Sequence, residues 1–343
     1  MIQMIILNSI IFILFPTTVM WKFCYNKSEY NMDVLTLEDS SALRGVAAIF
    51  IMFAHYLMYV DSESDMNMGP AKLMQGFGGL GVCLFFFLSG YGLYYSATKR
   101  GVKIGFLGRR FRSILPTYFI LRILFGLILG EYGYGMEPAV QYLFGLRTPL
   151  WFVDEIVIIY LLFFIAAKIS MKKIILILAG LLAVMSVIFL LCGLDARWYN
   201  ANMVFILGML FAKCRKKCLE WLSHGYIWKL IVCVLLFMGF AGIFVYTKTH
   251  IYSAVFKLMA GGFFCVIFFM ILMKFTIRST PIIYIGKKSL EFYMVHIYVW
   301  LVANEYFEKM SILLKFTVCI MVSILITCIY GKVYDWILKK SSL

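Results

Sequence analysis

The chain is 343 residues long, with 63% apolar and only 14% charged residues, where soluble domains average about a quarter charged. That leaves too little polar surface to wrap two globules in water, and a mean hydropathy of +0.92 with long apolar runs places the chain in a bilayer. The net charge of +15 follows the loops between those runs, so no nucleic-acid partner is expected.

A helix needs about 20 mostly apolar residues to cross the hydrocarbon core. Eleven stretches qualify, at roughly 2–20, 42–60, 77–97, 114–130, 150–167, 174–192, 198–212, 226–246, 253–273, 282–303 and 312–338. The first lacks the basic start of a cleaved signal peptide and reads as a retained span. Backbone groups in lipid must pair within their own segment, so an all-α polytopic bundle of about eleven transmembrane helices is expected. Lysine and arginine alternate loop by loop. One set of loops holds Lys22, Lys27, Lys99, Arg100, Lys103, Arg109, Arg110, Arg112, Lys168, Lys172, Lys173, Lys213, Arg215, Lys216, Lys217, Lys274, Arg278, Lys287, Lys288, Lys339 and Lys340. The other has only Lys72, Arg147, Arg197, Lys248 and Lys309, among Asp61, Glu63, Asp65, Glu131, Glu137, Asp195, Glu305 and Glu308. The rich set is cytoplasmic by the positive-inside rule, which puts the N-terminus outside and the C-terminus inside a cell membrane. The nine scattered cysteines form no C-x-x-C pair. They read as buried small hydrophobes, and no metal site is expected.

Ionisable groups within a span are costly and usually face a bundle interior or a watery cavity. Arg44 and His55 share one predicted helix; eleven residues apart, they are separated by roughly 16 Å of rise and lie about 20° out of register, on one face. An end-capping arginine with a histidine bonded to a neighbouring helix would look the same. Lys229, Lys257, Lys315 and Lys332 lie close enough to span ends to snorkel. The run from Gly76 to Gly81 has no preceding strand and so is no nucleotide fingerprint; it suits close helix packing or a break near a cavity. Ser89 follows within the same segment. Arg109, Arg110 and Arg112 suit bidentate phosphate capture, though by physics alone an ordinary positive-inside signal against anionic headgroups is the first reading. Trp151 precedes two acids, Asp154 and Glu155, and Glu155 has Arg44, Arg122, His55 or interfacial water as possible partners. Glu291 and His296 fall in a later span. His224 and His250 sit in loops.

Taken in order, these segments resemble the membrane-bound acyltransferase 3 family. Arg44 to His55 looks like its Arg-x10-His motif, Gly81 to Tyr91 like its G-V-x-x-F-F-x-x-S-G-aromatic segment, and Arg109 to Pro116 like its Arg-rich run ending I-L-P. Leu150-Trp151-Phe152 with Tyr160, and Ser289-Leu290 with Tyr293 and His296, resemble its later segments. The chain departs from the pattern at Ser113, where many members carry Arg, and at Ile156, where many carry Glu. The resemblance implies a ten-helix acyltransferase domain over 41–343, preceded over 1–40 by an extra span and its connecting loop. It also implies transfer of an acyl group, most often acetyl, from cytoplasmic acyl-CoA to a hydroxyl of an exported or cell-surface saccharide or lipid-linked glycan, with no permanently bound cofactor.

In that scheme His55 is the general base, or itself takes the acyl group. Arg44 stabilises developing negative charge or anchors the donor. Arg109, Arg110 and Arg112 hold the CoA phosphates, with Glu155, Trp151, Ser89 and His296 as supporting residues. The competing class is a transporter or flippase of a glycan or lipid-linked intermediate, against which stands the absence of a two-fold repeat with paired broken helices. Acceptor identity, acyl length and oligomeric state are not legible in the sequence.

Overall fold

The computed structural model describes residues 2–25, 30–63, 67–103, 105–130, 149–247 and 252–341. Lys27, Asp65, Glu131, Glu137, Arg147, Lys248 and His250, and the side chains of Glu63, Lys339 and Lys340, lie outside the described residues. The helices are α1 (Ile2–Met20), α2 (Leu37–Glu63), α3 (Met74–Arg100), α4 (Gly105–Leu129), α5 (Trp151–Ile169) and α6 (Ile174–Leu191). They continue with α7 (Val204–Ser223), α8 (Tyr226–Thr247), α9 (Ser253–Lys274), α10 (Thr280–Lys287), α11 (Ser289–Tyr306) and α12 (Ile312–Ser341). The protein is a multi-pass membrane helical bundle, and among the described residues eight helices are long and apolar enough to cross a bilayer. Three further long helices, α5, α7 and α11, are more polar: Asp154, Glu155 and Lys168 lie on α5, Lys213, Arg215, Lys216 and Lys217 on α7, and Glu291 and His296 on α11.

Two expected spans need correction. The stretch 282–303 is not one helix: the chain breaks at Lys288 (φ −112°, ψ 27°) and starts α11 afresh at Ser289. The stretch 198–212 begins as a short 3-10 turn, Ala196–Trp198, and the helix proper runs from Val204 well past residue 212. Among the described residues the all-α bundle also carries a short ribbon, in which β1 (Phe23–Tyr25) pairs antiparallel with β2 (Phe275–Ile277). Within α1, Pro16 has no N–H to continue the ladder, and the preceding turn, Ile10–Leu14, widens to π geometry.

Among the described residues, several contacts each join groups at one end of the bundle. At the basic end β1 pairs with β2, Arg215 bridges Asp33 at 2.6 Å, Arg278 bridges Glu38 at 2.9 Å, and the Tyr334 hydroxyl donates to the Arg112 carbonyl at 2.7 Å. At the other end Asn8 donates to the Met68 carbonyl at 3.0 Å, and Lys257 Nζ donates to Asn200 at 2.7 Å.

Backbone-to-backbone approach sets the two tightest crossings. A Cβ added at Gly286 of α10 would overlap the Ser41 carbonyl of α2, and one at Gly45 would overlap the Ile282 carbonyl. Gly90 of α3 meets the Phe205 carbonyl of α7 in the same way, and Gly208 meets that of Phe87. Small residues let membrane helices pack this closely. The glycine run at the start of α3 does likewise, with Gly78 against Ala54 and Gly81 against Ala47.

Candidate functional site

The helix that carries Arg44 and His55 has a defined start. The Thr36 hydroxyl accepts from the Asp39 N–H at 3.2 Å and the Asp39 carboxylate accepts from the Thr36 N–H at 3.1 Å, a reciprocal box that satisfies two otherwise orphaned donors. From Ala42 to Leu57 every residue is buried except Arg44, Phe50 and His55. Phe50 is engaged by the rings of Phe15 and Phe77, with centroids 5.6 and 5.2 Å away. Arg44 and His55 are thus the two polar side chains on this stretch that keep accessible surface. On α3, Ser89 is likewise half-buried while every other residue from Leu80 to Tyr91 is buried.

At the basic end Arg110 turns inward from α4. Its guanidinium lies 5.9 Å from the ring centroids of both Phe106 and Tyr160, and Arg44 lies within electrostatic reach of Tyr160 and Arg110. Among the described residues neither Arg44 nor Arg110 pairs with a carboxylate. Two half-buried cations within electrostatic reach of each other repel, an arrangement to which an anion would be complementary. Arg109 and Arg112 are exposed. Steps of about 100° per residue carry them away from the face that Arg110 uses, so the three arginines do not form one cluster.

Towards the opposite end, His55 Nδ1 lies 2.9 Å from His296 Nε2, the two rings inclined by only 12°. His296 is fully buried, and its Nδ1 is 3.1 Å from the Phe292 carbonyl one turn back on α11. The Tyr56 hydroxyl lies 2.9 Å from the His296 carbonyl and 2.9 Å from Ser323 Oγ of α12. The phenol has one hydrogen to donate, to the carbonyl, so Ser323 donates to the phenol oxygen. These bonds fix α2, α11 and α12 to one another around the histidines. The Tyr293 ring lies 5.8 Å from His296 and 5.4 Å from Phe152. Trp151 packs on Trp198 at 6.3 Å, a neighbour of that aromatic layer with no bond to either histidine. The nearby loop residue Arg197 grips Asp195 through its guanidinium at 3.1 Å and its backbone N–H at 2.9 Å, which holds the Asp195 carboxyl below the ordinary carboxylate value.

Glu155 pairs with none of the partners expected for it. It is fully buried, with no well-aligned hydrogen bond at either oxygen; the Asn202 side chain is its polar neighbour and Lys257 lies in electrostatic reach, while His55 is occupied by His296. Its neighbour Asp154 accepts from the Tyr118 hydroxyl at 2.6 Å, and that hydroxyl also receives Arg122. Lys257 and Lys315 do not snorkel outward. Lys257 reaches Asn200, and the buried Lys315 donates to Asn304 at 2.6 Å. Lys332 is exposed and Lys229 half-buried, the latter donating to the Trp221 carbonyl. The cysteines are all free, but Cys24, Cys192 and Cys214 are exposed, so buried small hydrophobes describes only Cys83, Cys233, Cys265 and Cys319. Among the described residues no group of three or more His, Cys, Asp or Glu side chains could hold a metal ion.

What the sequence did not point to is the link between the histidines, the Tyr56–Ser323 support beneath them and the electrostatic reach between Arg44 and Arg110. No curated protein and no solved structure matches the chain. The profile of the acyltransferase 3 family, described as an acyltransferase domain, matches residues 38–332. That stretch holds both ends of the site, from Arg44 and Arg110 to His55 and His296, and the chain therefore belongs to the acyltransferase 3 family of membrane acyltransferases.

Proposed function

We propose that this protein transfers an acyl group, most simply acetyl, from acyl-CoA to a hydroxyl of an exported or cell-surface saccharide or lipid-linked glycan. One observation carries the reading: Arg44 and Arg110, with no carboxylate partner among the described residues, stand at one end of a helix face whose other end presents His55. The arginines take the phosphates of the donor, Arg110 in place of the trio with Arg109 and Arg112. His55 takes the proton of the acceptor hydroxyl as its oxygen attacks the thioester carbonyl carbon. The resulting oxyanion collapses, the carbon–sulfur bond breaks, and the CoA sulfur leaves with the proton from His55. The products are an ester and free CoA thiol, with no permanently bound cofactor. Ser89, half-buried on α3, is taken as a contact for the donor, and Trp151 as part of the wall behind the histidines. Glu155 is given no proton-transfer role.

The eleven long helices are taken as spans, the eight most apolar ones plus α5, α7 and α11, with the arginine-rich end cytoplasmic, as in a bacterial cell membrane. The first helix, over residues 1–40 with its loop, is taken as an addition to an acyltransferase unit over 41–343. The test is release of free CoA thiol from acetyl-CoA by purified protein in lipid nanodiscs, with membrane glycan extract as acceptor. Wild type is expected to turn over, and His55→Ala to lose about 10²-fold or more. Turnover by folded His55→Ala at the wild-type rate overturns the mechanism. Absence of both CoA binding and release in wild type overturns the reaction class.

A further inference from the structure

His296 is more than a neighbour that ties α11 to α2. A backbone carbonyl accepts hydrogen bonds and never donates them, so the contact of His296 Nδ1 with the Phe292 carbonyl at 3.1 Å requires the hydrogen on Nδ1. In neutral His296 the other nitrogen, Nε2, is then a bare acceptor. That nitrogen faces His55 Nδ1 at 2.9 Å, so the hydrogen between the rings belongs to His55. Neutral His55 is thereby held as the Nδ1–H tautomer, and its lone pair is left on Nε2, the nitrogen that His296 does not cover. The half-buried ring of His55 keeps accessible surface, whereas His296 is fully enclosed. The carbonyl of the same residue accepts from Tyr56, the residue that follows His55 on α2. His296 is held at two points, and α2 is gripped next to the ring it must orient.

We infer that His296 is a positioning residue for the reaction proposed above: through the Phe292 carbonyl it fixes the tautomer and ring orientation of His55, so that Nε2 is the basic atom that meets the acceptor hydroxyl. It touches neither substrate. When His55 takes the proton, the Nδ1–H to His296 Nε2 bond persists and becomes charge-assisted, so the ring stays aligned through the proton transfer. This inference rests on the acyl-transfer reading for its kinetic consequence and on the hydrogen-bond chain alone for its tautomer.

Two measurements separate these. Nitrogen-15 NMR of histidine-labelled protein in nanodiscs reads the tautomer without turnover. Wild-type His55 is expected with hydrogen on Nδ1 and a bare Nε2, and His296→Ala is expected to show a mixture of tautomers. A wild-type His55 carrying its hydrogen on Nε2 overturns the inference, whatever the enzyme does. In the CoA-release assay, His296→Ala should lower kcat about 10-fold or more while the KM for acetyl-CoA stays within about 2-fold, because the donor's phosphates sit at the far end of α2. His296→Gln places an amide oxygen where Nε2 was and should restore most of kcat. An unchanged kcat in folded His296→Ala, or a Gln variant as slow as the Ala one, overturns it, since a packing role alone would not be rescued by an acceptor. Wild type without any CoA release, but with the expected tautomer, would remove the acyl-transfer reading and leave the histidine pairing standing.

Discussion

Arg110 and Arg109 are sequence neighbours with different surroundings, and the difference gives a direct prediction. Arg110 lies inward beside Arg44, Phe106 and Tyr160, while Arg109 is exposed. Loss of a charge-assisted hydrogen bond costs about 1.5–3 kcal/mol, so Arg110→Ala should raise the KM for acetyl-CoA about 10-fold or more. Arg109→Ala should change it by less than about 3-fold, which titration of donor binding would check. At this scale the sequence was informative about residue types and silent about partners. Arg44 and His55 were legible as a one-face pair because a helix obeys simple arithmetic. The histidine pair spans 241 positions, and no local spacing encodes a contact of that separation. Glu155 shows the opposite failure. Its chemistry invited a cationic partner among Arg44, Arg122 and His55, yet the α2 histidine was already engaged by α11.

The helices themselves were mostly predicted by length and apolarity, and the break within 282–303 shows what hydropathy misses. In 282–303 the apolar pattern runs through Lys287 and Lys288, so it reads as one span, but the backbone approach of Gly286 to Ser41 fixes α10 against α2, and the helix breaks at Lys288 before α11 begins at Ser289. Such packing leaves no mark in a hydropathy pattern. It does leave glycines, whose purpose becomes visible only when the facing carbonyls are known. Gly286→Ala and Gly90→Ala should each destabilise the bundle by about 1–3 kcal/mol, the usual penalty for forcing an extra carbon into a filled contact. Gly242→Ala, on α8 with open space around it, should be neutral or slightly stabilising. Thermal unfolding in detergent followed by circular dichroism would rank the three.

For the whole molecule, the alternation of charge and the contacts among loops divide the bundle into the same two ends. Three native cysteines make the assignment of sides testable without adding a residue. Cys24 and Cys214 are exposed at the basic end, and Cys192 is exposed at the other, where α6 stops. A membrane-impermeant maleimide applied to intact cells should modify Cys192 and spare Cys24 and Cys214, with all three reacting after permeabilisation. The reverse pattern would invert the topology and put the Arg44–Arg110 end outside, out of reach of a cytoplasmic donor. The sequence supplied this division because lysine and arginine counts survive uncertain span edges; it could not supply which loops touch.

The continuity of α2 has a further consequence. One unbroken helix from Leu37 to Glu63 carries both ends of the proposed site, and its fixed rise sets Arg44 and His55 roughly 16 Å apart. The helix is in effect a ruler. A donor gripped by its phosphates at one mark delivers its thioester to the other only if the arm between them is long enough to cover the interval. Thioesters on clipped arms would fall short of the histidine however well their reactive end resembled the natural one, so selection among acyl donors would begin with reach, before the shape of the acyl group is sensed.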